Sequence, residues 1–185
     1  MTKTMRRQTA AMVLGAVLVA CAAVPVRAAD RTQLTKDARH ALETLYAKDE
    51  VAKLLGDKSK AILVFPNIVK AGFMFGGQVG NGVLFKNGQA VGYYNSVAGS
   101  YGLQVGLQVF GYALFFMNDG AISYLDRSEG WEVGVGPSIV VVDKGAGKSI
   151  TSSTLTQDIY AYIFDQKGLM AGIGIQGSKI TKLAD

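Results

Sequence analysis

The sequence has few of the residues that carry redox, metal or histidine chemistry. Its 185 residues include one cysteine, Cys21, and one histidine, His40. One thiol cannot supply an internal disulfide, a CxxC pair or a thiolate metal site, so stability must come from packing. A Ser-His-Asp triad or a histidine metal site would depend on His40 alone. Asp126, Glu129 and Glu132 surround a predicted turn without the spacing of an acid–base pair. The sequence therefore predicts a protein that is not an enzyme and has no cofactor or metal.

Long apolar runs and a clustered positive charge are also missing. The apolar run from 10 to 24 is shorter than the roughly 20 residues that a transmembrane helix needs. Lys3, Arg6 and Arg7 precede it, an arrangement typical of a secretory signal. These are the only charged residues among the first 20, so the 19 basic and 14 acidic residues leave a formal charge of only +2 from Cys21 onward. That small excess argues against a nucleic-acid partner.

Two processing sites compete within the signal. Leu18-Val19-Ala20-Cys21 has the form of a lipobox, which would remove residues 1–20 and tether the protein to a membrane through a lipidated Cys21. Val26-Arg27-Ala28 suits an ordinary signal peptidase, which would remove residues 1–28 and discard Cys21. Both alternatives predict an exported, periplasmic protein. Both leave one domain, residues 31–185, that is long enough to bury a sizeable core.

The region after the signal predicts two helices. Apolar residues spaced three and four apart favour a helix from Thr32 to Tyr46, with Thr32 as its N-cap. A second short helix is predicted from Asp49 to Leu55, ending at Gly56. Mixed charge on the polar side of the first helix favours packing on a sheet over lying on a membrane surface, where Lys and Arg usually dominate.

Beyond Lys60 the pattern changes to the two-residue period of β-strands. Asn87-Gly88 between two apolar segments predicts a hairpin, and Asn118-Asp119-Gly120 predicts another turn. Strands are predicted near 61–65, 69–77, 79–86, 89–96, 100–109, 111–117, 121–126, 131–142, 159–165 and 168–176. We therefore expect an α+β fold, in which short N-terminal helices pack on a glycine-rich, mainly antiparallel β-sandwich or partly closed β-barrel.

Three predicted strands alternate apolar residues with glycine or glutamine, at 103–109, 132–136 and 171–176. The apolar positions predict a core face, and the opposite face would be nearly bare of side chains. Glycine weakens a strand, so its repeated use indicates a close neighbouring element, bends in a barrel, or a ligand such as a lipid chain.

The segment from Ile139 to Ser149 resembles a phosphate-binding loop only in part. It ends in Gly147-Lys148-Ser149, but Val142 occupies the position where the loop requires its first glycine. The surrounding strands also alternate like half-buried antiparallel strands. We therefore expect no nucleotide ligand and interpret residues 144–149 as an exposed loop.

Eight ordered motifs span the chain from about Leu34 to Leu183. They are Ala61-Ile62-Leu63-Val64-Phe65-Pro66, Lys70-Ala71-Gly72-Phe73, Gly76-Gly77, Gly92-Tyr93-Tyr94-Asn95, Gly102-Leu103-Gln104-Val105-Gly106, Gly130-Trp131-Glu132, Gly168-Leu169-Met170-Ala171-Gly172 and Gly177-Ser178-Lys179-Ile180-Thr181. In this order they resemble the SYLF-domain family. The resemblance implies lipid or membrane binding; eukaryotic members recognise phosphoinositides and some bind actin, while bacterial members are typically exported and often lipoproteins.

The resemblance implies a non-catalytic phospholipid-binding protein of the bacterial cell envelope. Its motifs place basic side chains beside strand ends, at Lys58, Lys60, Lys70 and Lys179, where an ammonium could contact a lipid phosphate. The segment 31–60 mixes basic and acidic residues, unlike the basic N-terminal segment of eukaryotic members. The alternative is a structural or protein-interaction module of the envelope that has a protein partner and no lipid ligand.

Overall fold

Eight strands form one curled sheet, accompanied by three helices. The computed structural model describes residues 28–73, 75–101, 106–127, 130–133, 135–142, 155–168 and 178–184. The helices are α1 (Ala28–Lys48), α2 (Glu50–Lys58) and α3 (Asp119–Leu125). The strands are β1 (Ala61–Phe73), β2 (Phe75–Lys86), β3 (Gln89–Tyr101), β4 (Gly106–Phe116), β5 (Trp131–Glu132), β6 (Ile139–Val142), β7 (Ile159–Gly168) and β8 (Lys179–Lys182). The predicted signal and Cys21 lie outside the described residues.

The strand order is β5-β8-β3-β2-β1-β4-β7-β6, and all neighbours pair antiparallel except β6 and β7. The sheet curls into a half-barrel, which confirms the predicted α+β class and the partly closed barrel. The sandwich alternative is wrong, because the described strands form a single sheet. The parallel pair was not expected from the alternation around 139–149.

The two faces of the sheet bury separate apolar clusters. Trp131 on the edge strand β5 lies 6.2 Å, ring centroid to ring centroid, from Phe116 on β4. Several strands separate these two in the sheet order, so their side chains meet across the concave side, which we call the inner face. The second cluster lies on the convex outer face, where Val64, Val83 and Phe115 are buried together with residues of α1 and α2.

The helices begin and end at different residues from those predicted. α1 begins at Ala28, so Thr32 lies within the helix and is not its N-cap. Asp49 is the N-cap of α2, because its side chain accepts hydrogen bonds from the backbone amides of Val51 and Ala52. α2 continues past Gly56 to Lys58. Gly56 does not cap the helix; its missing side chain leaves room for the Tyr46 ring.

The predicted strands 79–86 and 89–96 match most of β2 and β3, but other predicted boundaries are wrong. β1 is one strand where 61–65 and 69–77 were predicted, 69–77 extends from β1 into β2, and 100–109 extends from the end of β3 into β4. Asn87 and Gly88 have φ of 51° and 74°, which confirms the predicted tight turn. The predicted strand 121–126 is wrong, because the Asn118 side chain accepts a hydrogen bond from the Ala121 amide (2.9 Å) and starts helix α3 there. The predicted strand 131–142 divides into β5 and β6. Most of the predicted strand 168–176 lies outside the described residues.

Within the described part of the chain, no helix has the length and apolar character required to cross a membrane.

Candidate functional site

The helices cover only part of the outer face. Beyond them, four valines stand in one row across β3, β2, β1 and β4: Val97, Val79, Val69 and Val109. Val69 is 41% exposed and Val79 is 49% exposed, although valines in a sheet usually face a core. The next row on this face, farther from the helices, adds Ala71 and Leu107, and Leu107 is 58% exposed. We call these six residues the apolar band.

Lysines flank the valine row at both ends. Lys179 on β8 lies directly opposite Val97, and Lys167 on β7 lies directly opposite Val109. Directly opposed residues of antiparallel strands point to the same side of a sheet, so both lysines share the outer face with the valines. Both side chains are exposed. The surface therefore combines an apolar centre with cationic ends.

A row of asparagines separates the apolar band from the region covered by the helices. Asn67, Asn81 and Asn95 are aligned across β1, β2 and β3. The Asn95 amide donates to Asn81 Oδ1 (2.8 Å) and to the Gly80 carbonyl (3.2 Å). Asn95 and Asn81 bond each other, and the three asparagines separate the apolar surface from the core under α1.

The predicted core face of the segment 103–109 is reversed where the structure describes it. Its apolar residues Leu107 and Val109 point outward, and the polar Gln108 is buried on the inner face. The alternation was read correctly, but a period of two cannot say which side of a sheet faces the core. Residues 102–105, like those of the third alternating segment, lie outside the described residues.

A buried polar row lies directly behind the valines. Lys70 on β1 is paired with Gln78 on β2 and Gln108 on β4. All three point to the inner face and are almost fully buried. The Gln78 amide donates to the hydroxyl of Ser178 (3.0 Å), which is also buried. We call Lys70, Gln78, Gln108 and Ser178 the polar row.

The four lysines predicted from the family motifs do not form one site. Lys58 and Lys60 lie where α2 ends and β1 begins, at the end of the sheet that carries α1 and α2, which we call the helix end. Lys60 forms an exposed ion pair there with Asp119. Lys70 lies ten residues after Lys60, or about 33 Å along β1 at about 3.3 Å per residue, and is buried. Lys179 alone stands on the apolar surface. Lipid contact by any of these lysines stays a prediction.

The helix end also holds a groove of about 280 Å³ between α1, α2 and the β2–β3 turn. Arg39 lines it, but its guanidinium donates to the Gly88 carbonyl (3.1 Å) and lies over the Phe85 ring. The Arg39 guanidinium is therefore engaged in holding α1 on the sheet. Tyr46 also lines the groove. Burial is the larger cause, and the nearby Asp57 carboxylate the smaller cause, of the raised pKa of its hydroxyl. In the described ranges, no group of three or more His, Cys, Asp or Glu side chains could hold a metal.

Residues 97–185 match the family model described as "Ysc84: Las17-binding protein actin regulator". This match is consistent with a protein of the SYLF-domain family. The match begins at Val97 in β3 and includes β4 and everything that follows. It therefore contains half of the valine row and both flanking lysines. No curated protein matches the chain.

Sequence reasoning missed most of the outer surface of the sheet. Lys167 is not among the predicted lysines, and of the apolar band only Leu107 and Val109 were predicted at all, for the core face. The available signal was a lysine or glutamine between two apolar residues, as in Val69-Lys70-Ala71 and Leu107-Gln108-Val109. Only the register shows that these segments stand side by side, with their apolar residues on one surface.

Proposed function

We propose that this domain binds the surface of a phospholipid membrane, without catalysis, through the apolar band and its flanking lysines. The observation that carries the proposal is the exposed valine row with Lys179 at one end and Lys167 at the other. Exposed apolar surface gains about 25 cal/mol per Å² when it leaves water. Each lysine near an anionic leaflet adds about 1 kcal/mol.

The setting we propose is the bacterial cell envelope. Support comes from the basic residues and apolar run at the start of the sequence, which have the form of an export signal. A lipidated Cys21 would tether the domain, and the apolar band would then act as a second membrane contact. Stable membrane anchoring usually needs two such signals. Mass spectrometry of the mature N-terminus distinguishes a diacylated Cys21 from a free Ala29.

Vesicle co-sedimentation tests the membrane contact. Val79→Asp places a charge at the centre of the valine row and should lower binding to phosphatidylglycerol vesicles about tenfold. Val91→Asp is the matched control, because Val91 is equally exposed on β3 but lies outside the band. Lys167→Glu with Lys179→Glu should weaken binding to anionic vesicles more than to phosphatidylcholine vesicles. Unchanged binding by Val79→Asp would contradict the proposal.

The second candidate is a protein-binding module. The matched family is described as Las17-binding and as an actin regulator. In this chain the observation that favours a protein partner is the edge strand β6, where Val140 and Val141 are exposed and one side of the strand is unpaired among the described strands. Recovery of a stoichiometric protein partner by a chain that binds no vesicles would favour this candidate.

A further inference from the structure

The groove at the helix end runs along one side of α1. Arg39, Leu42 and Tyr46 line it, and their spacing of three and four residues puts them on the same side of the helix. Arg39 lies beside the β2–β3 turn, where its guanidinium donates to the Gly88 carbonyl (3.1 Å). Arg39 and Tyr46 are seven residues apart, or about 10 Å at about 1.5 Å per residue of helix. The groove therefore separates the side chains at its two ends by about this distance.

The end of the groove near Tyr46 carries a carboxylate. Gly56 of α2 lies against the Tyr46 hydroxyl, and a Cβ at this position would overlap it. Glycine weakens the interior of a helix, so this position gives up helix stability and admits the ring. Asp57 follows Gly56, lines the groove and is exposed. The ion pairs among the described residues do not include Asp57, so its carboxylate can receive a cation from solution.

The opposite end of the groove can hold an anion. A guanidinium has several N–H donors in a planar fork that suits a carboxylate. The Gly88 carbonyl accepts from one nitrogen of Arg39, and the exposed side chain has donors left for a second acceptor. Lys60 also lines the groove, but its ammonium is paired with Asp119. The groove therefore offers a cation at one end and an anion at the other.

Apolar side chains lie between the two charged ends. Ile62 on β1 and Phe85 on β2 are directly opposite each other and form the floor, with Leu42 as part of the wall. The volume of about 280 Å³ is just below the roughly 300 Å³ at which pockets for drug-sized ligands begin. A single amino acid spans about 3.5 Å and is short for this groove, while a dipeptide spans about 7 Å and leaves space for hydrogen bonds at its ends.

We propose that this groove binds a short apolar peptide of about two residues with both termini free. The peptide ammonium would donate to the Asp57 carboxylate, and the peptide carboxylate would accept from Arg39. Its apolar side chains would pack on Ile62 and Phe85. The site is independent of the proposed membrane contact, because the groove and the apolar band lie at opposite ends of the sheet.

Titration calorimetry on the purified full chain tests the site with the dipeptide leucyl-leucine and two derivatives. The N-acetylated dipeptide lacks the ammonium, and the C-amidated dipeptide lacks the carboxylate. We expect each derivative to bind about tenfold more weakly than the free dipeptide, since each loses a charge-assisted hydrogen bond. Free leucine should also bind more weakly, because it cannot reach both ends. Absence of binding by the free dipeptide, or equal binding by the N-acetylated form, would overturn the proposal.

A substitution at the carboxylate places the ligand in the groove. Asp57→Asn should weaken binding of the free dipeptide about tenfold and change binding of the N-acetylated form little, so the difference between the two ligands disappears. Glu50→Gln is the matched control, because Glu50 is an exposed carboxylate on the same helix that does not line the groove. Full discrimination between the two ligands by Asp57→Asn, or its loss in Glu50→Gln, would overturn the site. The comparison of ligands on the unchanged protein stands even where a variant does not fold.

Discussion

At the scale of single residues, two glycines of β2 leave room for large side chains on the inner face. A Cβ on Gly80 would lie 2.4 Å from Ile68 Cδ1 and 2.6 Å from the Asn67 carbonyl oxygen. A Cβ on Gly82 would lie 2.7 Å from the Phe65 ring. The ring of Phe65 in turn stacks on Tyr112, whose hydroxyl donates to Ser96 across the interior. The curl of the sheet therefore depends on glycine where strands bring large side chains over their neighbours.

Gly80→Ala should destabilise the fold by about 1–3 kcal/mol, the usual cost of overpacking a filled interior. The added methyl group would contact the backbone carbonyl of Asn67, and rotating a side chain cannot relieve that contact. Gly99→Ala on β3 is the control, since a Cβ there meets nothing within 4 Å. Chemical denaturation of the two variants checks the prediction. Equal stability of both variants would mean that the sheet relaxes around the added methyl.

At the scale of elements, one carboxylate ties together three parts of the chain that the sequence pattern described poorly. Asp158 precedes β7 and accepts hydrogen bonds from the Ser138 amide and hydroxyl (both 2.8 Å), just before β6. It also accepts from the Asn118 amide (2.7 Å), at the N-cap of α3. The hydrogen bonds from Ser138 hold the pKa of Asp158 below its usual range, and the hydrogen bond from Asn118 makes a smaller contribution in the same direction.

Stability should fall in acid as this carboxylate is protonated. A depressed folded-state pKa means that the stabilisation is present above the unfolded value of about 4 and is lost as pH falls through the lower folded value. Asp158→Asn should cost about 1 kcal/mol at pH 7, after allowance for solvent screening of a partly exposed group. The difference from the unchanged protein should shrink below about pH 4.

Thermal unfolding of both proteins between pH 3 and 7 provides the measurement. Asp119→Asn is the control, because the pKa of Asp119 is also lowered, chiefly by its hydrogen bond from Lys60, but that pair is exposed. Its removal should change stability far less. A constant difference between Asp158→Asn and the unchanged protein across the whole range would contradict the assignment.

These contacts also explain which elements could be predicted. The hairpin β2–β3 follows from alternation and from Asn87-Gly88, since both are local signals. The junction of β1 and β2 was missed, because alternation continues through the predicted strand 69–77. Helix α3 was missed because Asn118 serves equally well as a turn residue and as an N-cap, and its choice depends on Ala121 and on the distant Asp158. The parallel pairing of β6 with β7 is set by such long-range contacts and leaves no trace in a two-residue period.

At the scale of the whole molecule, the fold was more predictable than the site. The motifs resemble the family whose model matches residues 97–185, and the residue pattern predicted the partly closed barrel as one of two alternatives. The site depends on which face of each strand points outward, and one alternating pattern fits both choices. Lys70 and Lys179 were selected for the same reason, yet the sheet puts the first in its interior and the second on its surface. The lysines that share the outer face, Lys167 and Lys179, come from strands that are consecutive in the chain, β7 and β8, but are separated by four strands in the sheet.

The distribution of surfaces predicts how the domain would lie on a membrane. The apolar band occupies one end of the sheet, and the β2–β3 turn with α1 and α2 occupies the other. Gln89 and Val97 are eight residues apart on β3, or about 26 Å at about 3.3 Å per residue. That distance approaches the thickness of a bilayer's hydrocarbon core, so both ends cannot contact one membrane surface in an upright orientation. The helix end would then face water.

Site-directed labelling tests this orientation. Cys21→Ser removes the only native thiol, and single cysteines at Leu107 and at Gln89 then accept an environment-sensitive fluorophore. On phosphatidylglycerol vesicles the label at 107 should shift to the blue and become quenched by brominated lipid, because that position lies in the exposed apolar band. The label at 89 should keep its aqueous spectrum. A blue shift at 89 with none at 107 would place the membrane contact at the helices instead, and would return the basic residues of α1 and α2 to consideration as the binding surface.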